Sequence, residues 1–130
     1  MKKIFPWYIR AMDYFLLAMT DDDLDEFNIN NAECQAKLFD AMKADFDRFG
    51  PVSKQRTLES LEYLYSSGQI EKLWGYVVPG AADVEEVEDK HDFLRALYRK
   101  LSGHKLEQKD FGADVELVTD PGPRGVDIRE

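Results

Sequence analysis

The sequence predicts an all-α fold, a compact bundle of about five helices with a small C-terminal β-hairpin or flexible tail. Three observations predict it. The stretch from Ile4 to Met19, IFPWYIRAMDYFLLAM, is apolar except at Pro6, Arg10 and Asp13. A helix that is apolar nearly all round has to be surrounded, so this one is expected at the centre. Later stretches repeat apolar residues at helical spacing, and helix start and stop residues stand between them.

Taken in order, Pro6 suits the first turn of the central helix, where its missing N–H would have been unpaired anyway. Its neighbours Phe5, Trp7, Tyr8, Tyr14 and Phe15 can each bury roughly 150–250 Å² against partner helices. Thr20 followed by Asp21, Asp22 and Asp23 reads as a capped helix start, and aspartates suit the positive end of a helix dipole. That short helix is expected to run through Phe27.

Asn30 or Asn31 is expected to cap a helix that reaches Phe49 and stops at Gly50-Pro51. Leu38, Phe39, Met42, Phe46 and Phe49 share one face of it, while Glu33, Asp40 and Asp47 line the opposite face. Ser53 is the expected cap of the next helix, which turns Leu58, Leu61, Leu64 and Tyr65 inward and ends at Gly68. Ile70, Leu73, Trp74 and Val77 have the spacing of a short amphipathic helix ended by Pro79-Gly80. Asp83 opens the last helix, with Val84, Val87, His91, Leu94, Leu97, Tyr98 and Leu101 on its apolar arc and Gly103 at its close.

Residues 1–104 therefore form the helical domain, and residues 105–130 an extension docked on it. Within the extension, Val115–Thr119 and Val126–Ile128 alternate like strands around the turn residues Asp120–Gly125. Two strands alone are marginal in water, which is the reason to expect docking.

Composition limits the function classes. At 130 residues, 44% hydrophobic and 12% aromatic, the chain can bury a core of its own and is not a disordered chain. Its single cysteine, Cys34, allows no internal disulfide. A net charge of −9 disfavours nucleic acid and anionic membranes as partners and favours a basic protein or a cation. The Ile4–Met19 run is shorter than the ~20 apolar residues of a membrane span. Ala18-Met19-Thr20 is a poor signal-cleavage site, so a cytoplasmic protein is expected.

No constellation for catalysis or metal binding is complete. Glu88 and His91 have the Glu-x-x-His spacing of a di-iron site, but the second such pair is missing because Leu101 precedes His104. Asp21, Asp23 and Asp25 match the first calcium-loop ligands, yet Glu26 stands at the glycine position and Ala32 at the twelfth. Cys34 lies beside Glu33, a poor setting for a thiolate. No Gly-rich phosphate loop is present. No enzyme activity and no cofactor are expected.

The charge is unevenly distributed. Between Thr20 and Phe49 nine acidic residues face three basic ones, whereas residues 50–82 balance to zero. Asp21, Asp22, Asp23, Asp25, Glu26, Glu33, Asp40 and Asp47 are the expected partner-binding carboxylates, with Tyr63 and Tyr76 as exposed aromatic anchors. The expected function is inhibition of a basic partner by occlusion, by a monomer or homodimer. In size, acidity and helical content the chain is similar to bacterial immunity proteins that neutralise nuclease toxins. The Tyr-Tyr-Pro segment of the nuclease-colicin members has no match in Tyr63-Leu64-Tyr65-Ser66. The other expectation is a helical adapter or regulatory subunit that binds through an apolar groove.

Overall fold

A computed structural model describes residues 2–12, 20, 22, 26–78, 86–119 and 129. Among them the elements run β1 (Lys2–Ile4), α1 (Trp7–Arg10), α2 (Ala32–Asp47), α3 (Pro51–Ser66), α4 (Ile70–Leu73), a 3-10 turn (Trp74–Tyr76), α5 (Lys90–Ser102) and β2 (Val115–Leu117). The fold is thus mostly helical, with a small two-stranded sheet. None of these helices is long and apolar enough to cross a membrane.

The N-terminal stretch is not a helix from Ile4. Lys2–Ile4 is a strand that pairs in parallel with β2, in the register Lys2↔Val115, Lys3↔Glu116, Ile4↔Leu117. Pro6 then stands at the start of α1, and Tyr8, Ile9 and Met12 enter the core. The rest of the expected central helix, Asp13–Met19, lies outside the described residues. Among those described it is α3 that packs against β1, α1, α4 and α5.

Asn31 caps α2 as its side chain predicts, accepting the N–H groups of Glu33 at 2.9 Å and Cys34 at 3.2 Å. The inward residues Leu38, Phe39, Met42, Phe46 and Phe49 are all buried. Phe39 meets Phe93 of α5 edge to face, with ring centroids 5.0 Å apart.

The helix α3 begins at Pro51 and not at a cap on Ser53. Proline has its φ preset for a first helical position, so the start moves forward to Gly50-Pro51. Ser53 becomes a buried residue, as do Thr57 and Ser60. The Thr57 hydroxyl donates to the Ser53 carbonyl at 2.8 Å and the Ser60 hydroxyl to the Arg56 carbonyl at 2.8 Å, which satisfies both without outside partners. Gly68, at φ +76°, takes the left-handed conformation that ends the segment. Ile70, Leu73 and Val77 are buried as their spacing requires, and Trp74 is half-buried.

The start of α5 differs from expectation by six positions, from Asp83 to Asp89. Asp89 is its cap, accepting the Asp92 N–H at 3.0 Å, and the residues just before it are not helical. Their conformation has a local cause. The Asn30 side chain donates to the Glu86 carbonyl at 3.0 Å and accepts the Glu88 N–H at 3.0 Å, taking backbone groups a longer helix would need. Asp83 and Val84 lie outside the described residues. His91, expected on the apolar arc, is exposed with its ring edge against Tyr65.

Residues 104–119 run across the helices as one strap. Leu106 is buried, Lys109 donates to Glu62 at 2.6 Å, and the Phe111 ring lies 5.4 Å from that of Tyr63. β2 pairs with β1, which no local signal announced. The expected hairpin partner Val126–Ile128 and the turn Asp120–Gly125 lie outside the described residues.

Candidate functional site

The expected acidic face is altered by the fold. Asp21, Asp23 and Asp25 lie outside the described residues; Asp22 and Glu26 are helical and exposed. Glu33, Asp40 and Asp47 are exposed on α2, as their seven-residue spacing predicts. Two of the three are nevertheless engaged within the molecule. Asp40 pairs with Lys100 of α5 at 2.7 Å, and Asp47 with Lys43 at 2.6 Å. The stripe is therefore no continuous free acidic surface. Glu33 has no ion pair among the described residues.

Packing gathers other carboxylates at one end of the helix pair. Asn30, just before α2, is bonded to the segment just before α5, so the two helix starts are neighbours. Near their far ends Lys100 pairs with Asp40 and the Lys43 ammonium reaches the Leu101 carbonyl at 3.5 Å, so the helices run parallel. Glu33 follows one start; Glu86, Glu88, Asp89 and Asp92 surround the other. Helix starts favour carboxylates through the dipole, which gives this clustering a local physical cause.

Lys90 organises the cluster from beneath. It is only 9% exposed, and its ammonium lies 2.9 Å from Glu86 and 3.2 Å from Glu71, over the ring of Trp74. The hydrogen bond to Glu86 raises the Lys90 pKa above the usual lysine range, and the same bond lowers that of Glu86. Both carboxylates stay largely in solvent, with side-chain exposures of 76% for Glu71 and 80% for Glu86. Asp92 is shared with Arg95 at 3.2 Å. One buried cation thus serves two acids, and the charge excess at this end remains negative.

The aromatic anchors need correction too. Tyr63 is buried, packed on Phe111 and accepting the Gln69 amide at 3.1 Å, so it offers no exposed contact. Its position off the α3 arc reflected the strap that covers it. Tyr76 is half-buried with its ring edge on Trp7 at 5.6 Å. Trp74, assigned from sequence to the apolar arc, is the half-buried ring beside Lys90 and the acidic end.

Sequence reasoning missed Glu71, Glu86, Glu88, Asp89 and Asp92 as a group because they come from two separate segments. The one legible signal was Asp89 three residues before Asp92, a capping pattern inside a stretch read as helix. Between α2 and α5 lies a cleft of about 320 Å³ lined by Ala36, Phe39 and Ala96, with Asp40, Arg99 and Lys100 at its rim. Cys34 is a half-buried free thiol on α2. Among the described residues no three His, Cys, Asp or Glu side chains are placed to hold a metal ion. No protein-family model, curated protein or solved structure matches this chain.

Proposed function

We propose that the chain is an acidic binding protein that blocks a basic partner by occlusion, as bacterial immunity proteins do to nuclease toxins. The supporting observation is the acidic end of the α2–α5 pair, where Asn30 joins the two helix starts. Glu33 and Glu88 have no ion pair among the described residues, and Glu71 of α4, Glu86 and Asp92 stand largely in solvent although they are paired with Lys90 and Arg95. Carboxylates held this way meet a cationic surface with little ordering left to do. Their field draws such a partner in quickly, and they compete with phosphate for its lysines and arginines. Trp74 supplies aromatic surface at the edge of the cluster.

The test is capture of the partner on the immobilised chain, compared with a Glu86→Lys/Glu88→Lys variant over a salt series. The expected result is a basic protein, held by the parent chain, lost by the variant, and associating more slowly as ionic strength rises. Inhibition of that protein's own activity by the parent chain completes the case. Capture that ignores both variant and salt overturns it. The second reading, a helical adapter or regulatory subunit, draws on the cleft between Ala36 and Ala96. It predicts salt-insensitive binding that Ala96→Arg abolishes.

A further inference from the structure

A cleft of about 360 Å³ lies between β1 and the first turns of α3, lined by Lys2, Lys3, Phe5, Val52, Arg56 and Glu59 among others. Its charge runs against that of the chain. Three cations and one carboxylate line it, in a protein of net charge −9. The carboxylate, Glu59, is engaged by Lys2. Arg56 stands one turn away on the same helix and has no ion pair among the described residues, and neither has Lys3.

Arg56 is held in position. Its guanidinium carbon is 4.4 Å from the centroid of the Phe5 ring, and Nη1 donates to the Tyr8 hydroxyl at 2.9 Å. Those contacts fix the guanidinium plane while leaving donors unclaimed, the arrangement suited to forked recognition of an oxyanion. The strand adds a further donor. Lys2 N–H bonds to Asp114 and the Ile4 carbonyl accepts from Val118, so β1 turns Lys2 and Ile4 toward β2. In a parallel ladder the intervening Lys3 N–H and C=O point away from it. Val52, 44% exposed, offers apolar surface on the opposite wall.

We infer that this cleft binds a small organic oxyanion, a carboxylate or phosphate on a short apolar or aromatic body. The Arg56 guanidinium and the Lys3 N–H take the charged group, and Val52 covers the body. The site is independent of the acidic end and of any protein partner there.

The test is a nitrogen–proton NMR titration of the full chain with benzoate, phenyl phosphate and inorganic phosphate, each against sodium chloride at matched ionic strength. The expected result is saturable shifts at Lys3, Val52 and Arg56, including the Arg56 Nε–H. Affinity for benzoate or phenyl phosphate should exceed that for inorganic phosphate, and the tighter of the two assigns carboxylate or phosphate. Arg56→Gln should weaken binding roughly tenfold or more, whereas Lys3→Gln should leave it nearly unchanged, because that side chain lies on the far face of β1. Shifts matched by chloride, no saturation, preference for inorganic phosphate, or indifference to Arg56→Gln would overturn the inference.

Discussion

Lys109 reaches across from the strap to place its ammonium 2.6 Å from Oε2 of Glu62, a carboxylate whose side chain is only 8% exposed on α3. The same oxygen accepts the Tyr98 hydroxyl at 2.7 Å. Burial, followed by that hydrogen bond and the nearby charge, pushes the tyrosine pKa well above its usual range, so Tyr98 stays a donor. Glu62 thus joins α3, α5 and the strap through one atom.

Lys109→Met should therefore leave a buried carboxylate with one donor fewer. Half of the lysine is in solvent, so the expected loss is about 1–2 kcal/mol, below that of a fully buried pair. Urea unfolding measures it. A double-mutant cycle with Glu62→Gln should show the two changes to be non-additive.

Asn30→Ala should release the segment before α5. Two hydrogen bonds to Glu86 and Glu88 are lost, at an expected cost of about 1–2 kcal/mol. The local signature is faster amide exchange at residue 88, with the cap at Asp89 weakened but α3 unaffected. Unchanged exchange there would show that the junction of the two helix starts does not depend on Asn30.

Tyr63→Ala should affect stability first. Removing a buried ring that packs on Phe111 and receives Gln69 should cost about 3–5 kcal/mol, whereas Tyr63→Phe should cost about 1 kcal/mol. Chemical denaturation of both variants checks the difference. Near-equal losses would mean that the hydroxyl's bond to Gln69, and not the ring packed on Phe111, carries the stabilisation.

The Lys90 cluster gives stability a pH dependence at both extremes. Glu86 is held below its ordinary pKa, so its contribution is present above the unfolded value and is lost as pH falls through the folded one. Lys90 is raised, so its contribution is present below the unfolded lysine value and is lost as pH rises through the folded one. Lys90→Met should remove both effects and return the Glu86 carboxyl midpoint, followed by carbon NMR, to the ordinary glutamate range.

Local chemistry made much of this architecture legible. Asn31 before α2, Gly68 and Gly103 after α3 and α5, and the spacing of Leu38, Phe39, Met42 and Phe46 are all signals within a few residues of what they control. Long-range contacts were not legible in the same way. Asp40 looks free until Lys100 arrives from another helix, and Tyr63 looks exposed until Phe111 crosses it. Asn30 was a candidate cap by type, but its use on Glu86 and Glu88 moved the start of α5. The acidic end was hidden for the same reason, since its members meet only when two helix starts are brought side by side.

The clasp between β1 and β2 carries a timing consequence. A growing chain emerges amino end first, so Lys2 is available long before Val115, its partner, has been made. At about 5–20 residues per second, that wait is on the order of 5 to 20 seconds. For that interval β1 is without β2, the strand it pairs with among the described residues.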